Sequence, residues 1–312
     1  MTNHIDVVIV GGGPAGISAA IWCKRLGLNH LLIESSHELG GQLQEIHNKI
    51  IDYPGFIANN GAFLKEKFAE QIKHLDCLYE IGAQVNSIAV EQSILNYSIL
   101  DSSPQIIHFH SLILATGSSS KRLGIPGEAQ MIARGEIYSA SKDSAYFTNG
   151  KPVAVIGGGD RAFEGAWLLA EHGAQVFLIH HSGQFRARSE LCKQVLNHPQ
   201  ITLHTHAQVT KICGKNKVEG IKIVRNEGHE QFLAVEAVFV RIGVEPNSHL
   251  IREQVKTDSE GYIIVNGFGQ TSIPNIYAVG DVCTRPTYSS IATGVGQAMI
   301  AAKQISLSLN SH

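Results

Sequence analysis

No two cysteines of this chain form a CxxC pair. The five present are Cys23, Cys77, Cys192, Cys213 and Cys283, and their spacing fits neither a redox dithiol nor a metal-ligand set. They read as buried thiols, and no metal site is expected. Charge of neither sign dominates: 25 Lys and Arg stand against 27 Asp and Glu, a formal net charge of -2. That balance gives no electrostatic case for nucleic acid or an anionic membrane as partner. Aromatic residues are 7% of the chain and dispersed, without a basic stacking platform. No apolar run reaches the ~18 residues needed to span a bilayer. The opening stretch MTNHIDVVIVGGGPAG enters a strand after a short polar lead, with no secretory signal, so a cytoplasmic location is expected.

What is plentiful is glycine, 31 residues, within a chain that is 44% apolar. This is the composition of a globular protein with many tight turns, and 312 residues suffice for two domains. IDVVIV reads as a buried strand, GGGPAGISAAIWCKRLG as a turn opening a helix, and NHLLIE as the next strand. Residues 5 to 34 thus form one βαβ unit. Leu64, Phe68, Ile72 and Leu75 line one face of an amphipathic helix. From Ala83 to His110 the pattern is short strands with polar turns, followed by the apolar strand SLILATG. A second βαβ unit begins at KPVAVIGGGDRAF about 145 residues after the first, with Phe163, Ala166, Trp167 and Ala170 supporting a packed helix. A hairpin is expected around Asn226–Gly228, then a strand in PNIYAVGD and a last helix in IATGVGQAMIAAKQISLSL.

Two glycine loops carry the chemistry. In the first, Gly11 permits the tight turn, Gly13 lets backbone approach a pyrophosphate, and Gly16 lets helix pack on strand. The helix start at Pro14 and Ala15 offers amide donors and a positive field to phosphates. Glu34 ends the next strand, where a carboxylate accepts hydrogen bonds from an adenosine ribose. The second loop is Gly157, Gly159, Asp160, Arg161 and Ala162, with alanine in the third packing position. Its following strand ends at His180 instead of an acidic residue, which removes the argument for NAD. Arg186 and Arg188 lie nearby as candidates to pair with a 2'-phosphate. His180 and His181 are adjacent, so their side chains are expected on opposite faces, unable to share an ion. His108 and His110 fall on one strand face with no Cys or Asp to complete a site.

Together GGGPAG, Glu34, GGQL at 40–43, YPG at 53–55, ATG at 115–117, IPGE at 125–128, GGGDRA at 157–162 and IYAVGD at 276–281 form a pattern covering nearly the whole chain. It resembles the low-molecular-weight thioredoxin reductase superfamily, including the thioredoxin-reductase-like ferredoxin–NADP reductases. The resemblance implies an α/β fold of two Rossmann-like FAD/NAD(P)-binding domains of the three-layer ββα type, in a homodimer. It implies a discontinuous FAD domain, residues 1–117 and 245–312, around a pyridine-nucleotide-binding-like domain, 118–244. Gly11, Gly13 and Gly16 then match the FAD pyrophosphate loop and Glu34 its ribose carboxylate. Gly41 and Gln42 fall along the flavin, with Thr116 and Gly117 in the ATG marker. Gly280 and Asp281 match the segment bonding the ribityl chain, while Ala292 and Thr293 match the helix start at the flavin pyrimidine end.

Two departures set this chain apart from that family. Ser139 and Lys142 stand where a thioredoxin reductase has its two cysteines, with Asp143 following. A hydroxyl and an ammonium cannot exchange with a disulfide. Where the family shows His-Arg-Arg-x-x-x-Arg for the NADPH 2'-phosphate, this chain has His180, His181, Ser182 and Arg186. No catalytic side chain is therefore expected beyond the flavin itself. The leading expectation is an FAD-dependent oxidoreductase taking electrons from NAD(P)H to a small acceptor or redox protein other than thioredoxin. The alternatives are a ferredoxin- or partner-driven flavoprotein that does not use NAD(P)H, with one FAD or with a second in the nucleotide domain, and a non-catalytic flavin-binding sensor or interaction protein.

Overall fold

A computed structural model describes residues 5–99, 102–225 and 228–310. The chain divides into two compact units, Met1–Ser119 with Glu245–His312, and Ser120–Val244.

The first unit starts with β1 (Ile5–Val10), α1 (Pro14–Arg25) and β2 (His30–Ile33), then α2 (Gly61–His74), β3 (Tyr79–Glu80), β4 (Ala83–Ala89), β5 (Ile94–Ile99) and β6 (Gln105–Leu114). After the short strand β7 (Ser118–Ser120), the chain leaves for the second unit. Strands β3, β2, β1 and β6 lie side by side in parallel. β6 is one continuous strand where the sequence suggested two. Its first half pairs antiparallel with β5 and its second half parallel with β1. Alternation along β1 sends Val7 and Ile9 to the helix side and Val8 and Val10 to the meander of β4 and β5. Each face closes its own core, and each fully buried side chain such as Ile17 or Leu95 contributes about 1.5–3 kcal/mol. On α2, Leu64, Phe68 and Ile72 are buried, but Leu75 is exposed because the helix ends at His74.

The second unit contains α3 (Glu128–Ala133), α4 (Ala140–Asp143), β8 (Pro152–Ile156), α5 (Asp160–Glu171), β9 (Gln175–Ile179), α6 (Ser189–Leu196), β10 (Ile201–His204), β11 (Ala207–Cys213), β12 (Gly220–Arg225), β13 (Glu230–Leu233) and β14 (Ala237–Val240). A parallel sheet of order β10, β9, β8, β14 stands beside the antiparallel sheet β11, β12, β13. Val153 and Val155 face α5, while Ala154 and Ile156 face the antiparallel sheet. Phe163, Ala166 and Ala170 are buried as expected, whereas Trp167 is 36% exposed and lies off the packed face of α5. β12 and β13 pair antiparallel, and Gly228 takes φ +77 beside them. Asn226 and Glu227 of the expected turn lie outside the described residues.

The chain returns through β15 (Val244–Pro246) to complete the first unit with β16 (Ile276–Ala278) and α7 (Ile291–Leu309). β16 adds to the free side of β6, and α7 lies along α1, where the Ser18 hydroxyl donates to the Val295 carbonyl.

Candidate functional site

The first glycine loop joins β1 to α1 in a conformation that needs its glycines. Gly11 has φ +107, and a Cβ there would lie 2.4 Å from the Ala115 carbonyl oxygen. A Cβ on Gly16 would lie 1.8 Å from the Gly11 oxygen, whereas one on Gly13 would meet nothing within 4 Å. Gly13 therefore faces open space at the start of α1. Pro14 is the first helical residue, no side chain caps the helix, and its first turn carries no acid. An uncapped helix start of this kind accepts an anion through its amides and its dipole. Glu34 is buried beside it. Its Oε2 accepts the Gly12 amide at 2.5 Å, and its Oε1 accepts the Ser36 amide at 2.7 Å. The carboxylate is thereby fixed at the loop with lone pairs to spare.

A second group converges on Asp281. Ser289 Oγ donates to its Oδ1, while Gln42 Nε2 and Ser118 Oγ each lie 3.4 Å from Oδ2. Gln42 also donates to the Ser118 carbonyl at 3.0 Å. Gly41, at φ +52, precedes this side chain in the 3-10 turn Gly41–Glu45, and Gly280, at φ +75, precedes Asp281. Thr116 is occupied differently, since its hydroxyl donates to the Asn247 carbonyl at 2.8 Å, and Gly117 accepts the Asn247 amide through its own carbonyl. At the start of α7 the Thr293 amide is taken by Ser290 Oγ at 3.0 Å, next to Ala292. Ser118 and Ser289 were not singled out in the sequence, because a hydroxyl that orients a carboxylate leaves no motif.

The second loop repeats this build between β8 and α5. Gly157, at φ +147, would place a Cβ 2.1 Å from the Arg241 carbonyl oxygen, and Gly159 is open in the way Gly13 is. Ala162 is buried and Arg161 exposed. Here, however, the first helical turn holds an acid: Asp160 Oδ1 accepts the Arg188 amide at 2.7 Å. The Arg188 guanidinium pairs with Glu164 at 2.5 Å and Asp160 at 3.4 Å, so it is committed to carboxylates. Arg186 remains exposed, and its amide donates to the Gly158 carbonyl. The expectation that His180 and His181 diverge is corrected. β9 ends at Ile179, so strand alternation no longer applies, and the two rings sit 4.4 Å apart, edge to face. Burial holds the His180 imidazole below its ordinary pKa, helped by the nearby His181 and Arg186 charges.

Ser139 and Lys142 belong to the short α4. Ser139 stands at its N-cap, Lys142 is exposed, and Asp143 is buried with its Oδ2 accepting the Ser139 amide at 2.7 Å. Asp143 thus ties down the segment's backbone. Ahead of it, Tyr138 packs against Phe147 and Phe239, and its carbonyl accepts from Arg241. Of the cysteines, only Cys23 and Cys77 are buried; Cys192, Cys213 and Cys283 are half-buried, a correction to the sequence reading. Burial pushes the Cys23 thiol up to about 12 and the Cys283 thiol up to about 11. Neither is a thiolate at neutral pH, and the thiolate is the reactive form.

The family described as pyridine nucleotide-disulphide oxidoreductase matches residues 5–304. The thioredoxin reductase of Mycolicibacterium smegmatis is 33% identical over 299 residues, 95% of this chain and 94% of that protein. An NADH dehydrogenase of Bacillus subtilis (strain 168) is 32% identical over 302 residues, 95% of this chain and 57% of that protein. The crystal structure of Lactococcus lactis thioredoxin reductase superposes with a TM-score of 0.81 at 30% identity, covering 99% of this chain and 100% of that one. With that fold and those two glycine loops, the chain belongs to the pyridine nucleotide-disulphide oxidoreductase family, as a thioredoxin reductase-like flavoprotein oxidoreductase.

Proposed function

We propose that this protein is an FAD-dependent oxidoreductase that passes electrons from NAD(P)H through the flavin to an acceptor other than thioredoxin, without a redox-active dithiol. One observation carries the reading. The second unit keeps a complete dinucleotide loop, open at Gly159, while its segment at 139–142 contains no sulfur. The name of the B. subtilis relative, an NADH dehydrogenase, supports electron delivery to something other than a disulfide. On the family resemblance we place the protein in the cytoplasm as a homodimer.

The residues of the first unit fit FAD. The α1 start and Gly13 would hold its pyrophosphate, Glu34 its adenosine ribose, and Asp281, oriented by Ser289, Gln42 and Ser118, its ribityl hydroxyls. A bound flavin supplies the redox chemistry, accepting hydride and releasing electrons. The chain's own contribution is to bind and orient. Gly157, Gly159 and Ala162 would seat the donor nucleotide, and no side chain need move a proton in that half-reaction.

Anaerobic titration tests this reading. One FAD per chain should be bleached near 450 nm within seconds by NADH or NADPH. In a dithionite titration the protein should take up two electrons per flavin, with none taken by a disulfide, and thioredoxin should not be reduced. Uptake of four electrons would reveal a hidden dithiol and sink the proposal. Failure of both nucleotides to bleach the flavin would favour a partner-driven protein, and two flavins per chain would place the second FAD in the second unit.

A further inference from the structure

We propose that Gln297 of α7 is a positioning residue for the flavin: it holds the turn that carries Asp281 and acts on the ribityl end of FAD through that carboxylate, an inference that rests on the reading of the first unit as an FAD site. Strand β16 ends at Ala278. The amides of Ala278 and Val279 still donate to backbone, to the Gly269 and Leu114 carbonyls, each at 2.9 Å. Gly280 comes next, buried and at φ +75, past the ends of both β16 and β6. A buried amide needs an acceptor, and here a side chain supplies it: the Gly280 amide donates to Gln297 Oε1 at 2.7 Å.

The same side chain grips the far end of the turn. Gln297 Nε2 donates to the hydroxyl of the buried Thr284 at 3.0 Å. The orientation of the amide is settled by its partners, because a backbone N–H can only donate and the oxygen must therefore face Gly280. Between the two grips, the Val282 carbonyl accepts the Ile263 amide at 3.1 Å. The backbone of Asp281 is thus set by Gln297 on one side and by that bond on the other. Ser289, Gln42 and Ser118 turn the carboxylate, but Gln297 decides where its Cα stands.

Gln297 is also placed to act on the turn without carrying the fold. It is half-buried, off the row of Ala298, Ala301, Ala302 and Ile305 that α7 buries. A cavity of about 170 Å³ opens beside it, lined by Val265, Gly269, Ala278 and Ile300. Loss of the amide group admits water to Gly280, so the turn gains freedom while its amide stays hydrogen-bonded.

Calorimetric titration of the flavin-free chain with FAD and with ADP tests the inference. ADP has the adenosine and phosphates but no ribityl chain, so it reports on the first loop and Glu34 alone. Gln297→Met, similar in length but without an acceptor, should weaken FAD about fivefold to tenfold, on the order of one hydrogen bond, and leave ADP unchanged. Thr284→Val should give a smaller loss of the same kind. In an Asp281→Ala background Gln297→Met should cost less than about twofold, since the carboxylate it positions is gone. Equal weakening of FAD and ADP would make Gln297 a support of the whole unit and overturn the inference. Unchanged FAD affinity, or an undiminished effect in the Asp281→Ala background, overturns it too. All three results leave the FAD site standing. Failure of the parent chain to bind FAD overturns the flavin reading itself, and the inference with it.

Discussion

Gly16→Ala is expected to yield a protein purified without flavin, with affinity for added FAD at least about 100-fold weaker, or ~2.7 kcal/mol. The added methyl would start 1.8 Å from the Gly11 carbonyl oxygen. Relief requires more than an ångström of backbone movement, and Gly11 has nowhere to retreat because its own Cα faces the Ala115 carbonyl. The loop must therefore leave the position in which Gly13 opens onto the α1 start. Overpacking of this kind also costs about 1–3 kcal/mol of stability. The flavin-to-protein absorbance ratio and a fluorescence titration with FAD check the result. Ala162→Gly is the matched control, since the second loop already accommodates alanine in the corresponding place, 3.1 Å from a Cβ built on Gly157. Normal flavin content in Gly16→Ala would remove the first loop from the cofactor site.

The second large effect concerns the IPGE segment. Glu128→Ala should lower the stability of the second unit by about 3–5 kcal/mol. Glu128 is 4% exposed, and its two oxygens accept the Leu123 and Gly124 amides at 2.9 and 2.7 Å. Each amide left without its charged acceptor costs about 1.5–3 kcal/mol. Glu128→Gln should recover little, because its amide group turns a donor toward one of two donors. Urea unfolding read through Trp167 gives the midpoint of this unit, with Trp22 reporting on the other. A Glu128→Gln protein as stable as the parent would show that the two amides find other partners. Gly127→Ala should be similarly harmful, since Gly127 has φ +92 and a Cβ would lie 1.9 Å from the Ile212 carbonyl oxygen.

The IPGE segment also illustrates what the sequence could and could not convey. As a string it looked like a family marker, but its residues tie the start of α3 to β11 and touch no ligand loop. The two βαβ units were legible because a buried parallel strand writes itself as an apolar run and a phosphate loop as spaced glycines. Glu34 was legible for its place at a strand end. Less visible were relations that depend on the folded path. Arg188 looked like a phosphate ligand until Asp160 and Glu164, more than twenty residues earlier, were brought beside it. Strand alternation predicts that His180 and His181 diverge, but β9 ends at Ile179, before either of them. Ser118 and Ser289 meet at Asp281 across most of the chain, and nothing local marks them.

The return of the chain to its first unit bears on the order of synthesis. Ser18 on α1 bonds to Val295 on α7, 277 residues apart, so α1 lacks its neighbour until all the intervening chain has been made. At typical elongation rates of about 5–20 residues per second, that wait is roughly 15–55 s. The second unit has no such debt to the future: its last sheet strand ends at Val240, so all of its strands have been made before the first unit receives its last strand and helix. A nascent chain cut short before α7 thus carries a finished insert in an unfinished host. The face of α1 that carries Ala15 and Ser18, which α7 covers, then stands open for chaperones and proteases to find.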